Sequence, residues 1–377
     1  MKFLLLLLCV ALAQADLALI YRSNQRSVPD SWIIKIKDSD QLDQVAEDII
    51  SRFSRMRLPT PAMTKIRNLV PVLTMKIPAF LLEEIRSIDG IEYIEQNKIA
   101  TLAATQSNPP WGLDRIDSRS GRDYYYTYNP SVQGKGVNVY IVDTGVQTDH
   151  TAFGGRASVI YGKEDDHGHG THCAGTAAGN YFGLAREANI FSVKVCSPLC
   201  PLGTIIDGFN AVLSHDGGKG GVVSVSIGGF SNAPSITTAV NNLWNNGYLV
   251  SYAAGNDNDD TCNVHPQNGN NLIVTAASDD IDERAYFSNW GSCVDIFAPG
   301  VGILSAGYSK TINYDVAIKT GTSMACPHVT GAAALYFGKQ GSSATPSSVK
   351  NAILNDATKD VITDTKGTPN RLLYVNF

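Results

Sequence analysis

The chain has 377 residues, 44% of them hydrophobic and 17% charged, with a formal net charge of −5. That is the balance of an ordinary globular protein with room for a large core and a second unit, and it excludes a disordered or fibrous chain. Residues 105–377 carry 17 basic and 23 acidic side chains and all seven histidines, so neither nucleic acid nor an anionic membrane is an expected partner.

Lys2, the apolar run Phe3 to Ala13 and the small residues of Ala13-Gln14-Ala15 before Asp16 read as a secretory signal peptide over residues 1–15. The run is too short to span a bilayer, and no later segment reaches about 18 uninterrupted apolar residues. The expected location is therefore extracellular. Residues 32–96 read as a small alternating unit. A strand is expected over 32–37, and a helix over 40–55 from Leu42, Val45, Ile49, Ile50 and Phe53 at helical spacing. A second strand is expected from Val72 to Ile77, a short helix from Phe80 to Ile88, and a last strand from Ile91 to Glu95. Asn97 to Ser107 is polar and without periodicity, as a cleavable connector would be.

Beyond it, short apolar strands are expected at 136–142, 191–195, 222–227, 248–254 and 272–276, with helices over 169–179, 204–216, 235–246 and 322–338. Near-continuous apolar strands separated by helices predict an α/β fold, a parallel sheet covered on both faces, with its site beyond the strands' carboxyl ends. Six cysteines outside the leader permit fifteen pairings, and the sequence alone does not choose among them. The spacing of Cys262 and Cys293 suits a bridge across a loop, and Cys196 and Cys200 could pair locally. For Cys173 and Cys326, in helix-like stretches, buried thiols are expected.

Four distant segments carry the chemistry: Asp143-Thr144-Gly145 after a strand, His167-Gly168-His169-Gly170-Thr171-His172-Cys173-Ala174-Gly175, Ala253-Ala254-Gly255-Asn256 at a strand end, and Gly321-Thr322-Ser323-Met324-Ala325-Cys326-Pro327-His328 before a helical run. A serine hydroxyl is a weak nucleophile until a histidine takes its proton. That histidine needs a buried carboxylate, and the attacked carbonyl needs donors aimed at its oxyanion. An aspartic hydrolase would need a second carboxylate motif, and Asp364-Thr365-Lys366-Gly367 is imperfect. The histidines lack the His-Glu-x-x-His pattern of a zinc peptidase, and zinc would leave Ser323 and Asn256 unexplained.

Asp, His and Ser in this order on an α/β sheet is the arrangement of subtilisin. The motifs, together with Ser224 to Gly229 and Pro110-Trp111-Gly112-Leu113, resemble those of a proteinase K-type subtilase over nearly the whole chain. The resemblance implies a ferredoxin-like prodomain over 16–104, acting as folding aid and inhibitor, and a subtilisin-like catalytic domain over 105–377. It implies a secreted, monomeric serine endopeptidase, self-processed near Ala104–Thr105 and acting on proteins or peptides without a catalytic cofactor. Asp143 would be the orienting acid, His169 the base, Ser323 the nucleophile and Asn256 the oxyanion donor, with His172 structural. Ser226, Ile227 and Gly228 would pair with the substrate backbone. With Ala253, Ala254 and Gly255 they would wall a pocket for a large apolar or aromatic residue before the scissile bond, while Asp257, Asp259 and Asp260 nearby could instead favour a basic one. Asp295 and the carbonyls of Asn270 and Leu272 would hold a structural calcium ion. The stretch Cys196 to Gly203 departs from the family's Gly-rich second substrate edge, since Pro198 and Pro201 cannot donate ladder hydrogen bonds.

Overall fold

The structure is a computed structural model that describes residues 17–22, 27–99, 103–197, 199–217 and 219–377. The expected leader over 1–15 and the residue Pro198 lie outside the described residues. The chain divides into two units, Met1–Thr101 and Leu102–Phe377.

In the first unit, β1 (Leu19–Tyr21), β2 (Ser27–Ile36), β3 (Met63–Ile66), β4 (Val72–Lys76) and β5 (Ile91–Lys98) form one sheet in the order β1-β5-β2-β4-β3. Helices α1 (Leu42–Arg55) and α2 (Leu82–Ile85) join its halves. The antiparallel β5-β2-β4-β3 core, with two helical crossovers, is the ferredoxin-like arrangement. Leu42, Val45, Ala46, Ile49 and Phe53 of α1 are buried in one apolar core with Ile34, Leu73 and Ile94 of the sheet. Strand β3 was not legible, because three of its four residues are exposed and leave no apolar alternation.

The second unit opens with β6 (Ala104–Ser107), α3 (Trp111–Ile116) and β7 (Tyr125–Tyr128). Strand β6 pairs antiparallel with β7, Thr105 opposite Thr127. The expected irregular connector over 97–107 is thus a correction: β5 runs to Lys98 and Ala104–Ser107 is a strand.

The main sheet is built from β8 (Asn138–Asp143), β9 (Ala157–Tyr161), β10 (Asn189–Lys194), β11 (Gly221–Val225), β12 (Tyr248–Ala253), β13 (Ile273–Ser278) and β14 (Ile296–Pro299). Interleaved are α4 (His169–Ala178), α5 (Leu202–Ser214) and α6 (Pro234–Asn245). The hairpin β15 (Ile303–Ala306) and β16 (Val316–Lys319) leads into α7 (Thr322–Gln340) and α8 (Pro346–Asp356). Two short strands, β17 (Thr358–Lys359) and β18 (Arg371–Leu372), close the chain.

The sheet order is β17-β18-β14-β13-β12-β11-β8-β10-β9, parallel throughout except for the β17–β18 pair. Both faces are covered. Val139 and Ile141 enter the core that contains α4 and α7, whereas Tyr140 and Val142 enter the one that contains α5 and α6. Two-sided burial explains the continuous apolar strands. The chain starts at β8, builds β10 and β9 on one side, then crosses to β11 on the other. Such a reversal opens a crevice at the carboxyl ends of the two strands that flank it, here β8 and β11.

Candidate active site

Asp143 is the last residue of β8 and is only 2% exposed. Its carbonyl accepts from Val195 and Cys196 N–H, and its Oδ1 from Thr144 N–H at 2.7 Å, which fixes the carboxylate. His169 opens α4, and its Nδ1 lies 2.8 Å from Asp143 Oδ1 and 3.0 Å from Oδ2. A carboxylate can only accept there, so Nδ1 carries a proton, and in the neutral ring Nε2 is the nitrogen that keeps its lone pair. The Asp143 charge raises the proton affinity of His169 above the ordinary histidine value, against the opposing effect of burial. Close approach of the two elements requires Gly170: a Cβ there would meet the Gly145 carbonyl at 2.1 Å.

Asp165 was not singled out from sequence, yet it ties this corner together. Its Oδ1 accepts from His167 N–H, Gly168 N–H and the Thr144 hydroxyl, and its Oδ2 from the Thr171 N–H and hydroxyl. The Thr144 hydroxyl oxygen in turn accepts from Gly170 N–H at 2.9 Å. Two of the first N–H groups of α4, which a helix leaves unpaired, are thereby satisfied: Thr171 by Asp165 in the segment just ahead of the helix, and Gly170 by Thr144 beside Asp143. An acid just ahead of a helix start is the signal that could have found it.

Ser323 is the second residue of α7, where backbone N–H groups have no partner within the helix. Pro327, four residues on, has no N–H for the Ser323 carbonyl. That oxygen accepts instead from Ser226 Oγ at 2.9 Å and from Cys173 Sγ at 3.3 Å. Burial raises the Cys173 thiol pKa, so it stays neutral and able to donate. The Ser323 hydroxyl donates to the Ser226 carbonyl at 3.0 Å.

Asn256 follows β12, with its Oδ1 accepting from Thr322 N–H at 2.9 Å and from the Thr322 hydroxyl at 3.0 Å. With the oxygen so anchored, the amide presents its Nδ2 donors on an exposed residue. Ser226, Ile227 and Gly228 run on from β11, buried, half-buried and exposed in turn. Ala253, Ala254 and Gly255 are buried beside them, at the end of β12. The Ala253 carbonyl is held by Gln267 Nε2 and that of Ala254 by Asn289 Nδ2.

The remaining histidine motif does not converge. His172 Nε2 lies 2.9 Å from the Ile303 carbonyl, and burial lowers its pKa to about 4. His167 is exposed. Cys262 is bonded to Cys293 and Cys196 to Cys200, leaving Cys173 and Cys326 as buried thiols. Next to the Cys196–Cys200 bridge, Ser197 N–H donates to the Leu199 carbonyl at 3.0 Å.

The calcium assignment needs a correction. Asp295 and the carbonyls of Asn270 and Leu272 do converge, but on the ammonium of Lys350. Its Nζ lies 2.6 Å from Leu272 O, 3.2 Å from Asn270 O and 2.9 Å from Asp295 Oδ1. A calcium ion needs six to eight oxygens at about 2.3–2.6 Å. It does not fit a seat whose oxygens already surround a cation.

Comparison with known proteins agrees with this architecture. The model of the subtilase family, peptidase S8, matches residues 134–373. Proteinase R of Parengyodontium album is 36% identical over 367 residues, covering 93% of this chain and 90% of its own. The subtilisin-like serine protease AsES of Sarocladium strictum is 37% identical over 360 residues, covering 92% and 89%. The crystal structure of a cold adapted subtilisin-like serine proteinase superposes with a TM-score of 0.67 at 38% identity, over 72% of this chain and all of that one. A parallel sheet with its crevice between β8 and β11, and relatives matched over most of their length, lead to one assignment: the chain belongs to the subtilase family and is a serine endopeptidase.

Proposed function

We propose that Ser323, His169 and Asp143 form the catalytic triad of a secreted, self-processed endopeptidase. The observation that carries this reading is the Asp143–His169 pair, whose geometry sets the Nδ1–H tautomer and leaves Nε2 as the base. The Ser323 hydroxyl turns from the Ser226 carbonyl to His169 Nε2 and attacks the scissile carbonyl carbon. Its proton passes to Nε2 and then to the leaving amine. Water, deprotonated by the same nitrogen, cleaves the ester formed on Ser323. The oxyanion is met by Asn256 Nδ2 and the Ser323 N–H at the start of α7, donors fixed before the charge develops.

The substrate backbone lies along Ser226 to Gly228 as an added strand. Ala253 to Gly255 and the same strand frame a pocket of small groups, which favours a large apolar or aromatic residue before the cut bond. Residues 1–15 direct export, and in 16–104 the ferredoxin-like unit aids folding and inhibits. It is removed near Ala104–Thr105, which leaves Thr105 to Ser107 paired with β7. Among the described residues no helix is long and apolar enough to cross a membrane. The test is expression of the full chain with Ser323→Ala: it should accumulate as uncut precursor, while the parent gives a product starting near Thr105. Equal processing of both would refute self-cleavage by Ser323.

A further inference from the structure

Lys350 sits on α8, whose start is fixed by a reciprocal Thr345–Ser348 capping box and whose Val349 and Ile353 are fully buried. Those anchors set the helix rotation, and the Lys350 side chain, only 16% exposed, reaches across to the turn that enters β13. An ammonium has three N–H donors. Here they face two carbonyls, of Asn270 and Leu272, and one carboxylate, of Asp295. Asp295 is itself locked against β13, its N–H donating to the Val274 carbonyl and its Oδ2 accepting from Val274 N–H at 2.9 Å. Every donor of the lysine is matched, and the donor set is the one a metal ion would use.

We propose that Lys350 is a built-in replacement for a structural calcium ion, its tethered ammonium holding together the three oxygens that a divalent cation would otherwise gather. A bound ion stabilises only in proportion to its free concentration over its dissociation constant. A tethered ammonium has no such dependence, so this corner of the fold holds in the presence of chelator. The same geometry makes Lys350 the block to metal: cutting the side chain back leaves a carboxylate and two carbonyls facing a vacated seat, which calcium can enter with water completing its shell.

The test uses the full chain with Ser323→Ala, so that self-cleavage cannot distort unfolding, and reads Tm by calorimetry in 5 mM CaCl2, about five thousand times the dissociation constant of a micromolar site, and in 5 mM EDTA. In the Lys350 parent, Asp295→Asn is expected to leave the calcium-minus-EDTA difference in Tm unchanged. Lys350→Ala is expected to lower Tm in EDTA by roughly 4–8 °C. It should also enlarge the calcium increment by several degrees, a gain that adding Asp295→Asn abolishes. Lys350→Met, which keeps the apolar stem, serves if the alanine variant does not fold, and calcium titration calorimetry should count one more site in it than in the parent. The proposal is overturned if Asp295→Asn removes a calcium increment from the parent, or if neither Lys350 variant gains one.

Discussion

Ser226 and Ser323 exchange hydrogen bonds: the Ser226 hydroxyl donates to the Ser323 carbonyl at 2.9 Å, and the Ser323 hydroxyl to the Ser226 carbonyl at 3.0 Å. The first bond exists because Pro327 leaves the Ser323 carbonyl without its helical donor. The second parks the nucleophile on the strand expected to bind substrate. In the proposed mechanism, one strand end therefore positions both the attacking residue and the chain it attacks.

Ser226→Ala removes the hydroxyl and leaves the strand's backbone intact, with Cys173 the remaining donor to the Ser323 carbonyl. A neutral hydrogen bond is worth about 0.5–1.5 kcal/mol. Steady-state kinetics on a peptide amide should show kcat lower by roughly 3–10-fold with KM little changed. A rise in KM at constant kcat would place the hydroxyl in substrate binding instead.

Asn256→Ala should cut kcat by about 10²–10³ with KM nearly constant, on the scale set by the equivalent side-chain donor of subtilisin, about 2.7–4 kcal/mol. The Thr322 contacts that Asn256 Oδ1 makes are lost too, so a thermal melt of the variant is measured alongside. If kcat holds while KM rises, the amide binds substrate and not the oxyanion.

The proposed mechanism needs neutral His169, and Asp143 raises its proton affinity. The acid limb of kcat/KM should therefore have its midpoint above about 6.5. Asp143→Asn should move that midpoint down and lower kcat by several orders of magnitude. Stability runs the other way. The raised pKa contributes fully below about 6.5 and is lost as pH rises through the folded-state value, so the parent's Tm advantage over Asp143→Asn should shrink at alkaline pH.

Asp165 accepts five hydrogen bonds that join the Thr144 loop to the start of α4. Asp165→Ala leaves buried N–H groups unsatisfied and should lower Tm by roughly 5–12 °C, the scale of a net loss of about 2.5–3 kcal/mol at about 2–4 °C per kcal/mol. His169 loses its anchor at the same time, so activity should fall at temperatures where the variant is still folded. An unchanged Tm would mean that water replaces the carboxylate.

Five strands of the main sheet, β8 and β10 to β13, were legible because burial on both faces writes continuous apolar runs, such as Val139 to Val142 and Tyr248 to Ala253; β14 is as buried but only four residues long and ends in Pro299, and it was not. The helices at 169–179 and 322–338 were legible from their small-residue motifs. Strand β9 and helix α8 were not. Ala157 to Tyr161 lies at a sheet edge with no residue fully buried, and α8 buries only Pro346, Val349 and Ile353. At the site, residues inside short motifs could be named from sequence. Asp165 and Lys350 could not, because their roles are set by partners brought together only by the fold. Lys350 meets Asp295 across 55 positions and Leu272 across 78.

Fluorophosphonate labelling of the purified, matured protein, read by intact mass and peptide mapping, bears most directly on the triad and the precursor together. The expected result is one adduct, on Ser323, in a chain that starts near Thr105. A folded, prodomain-free protein that takes no adduct on Ser323, or takes it on another residue, would contradict the account.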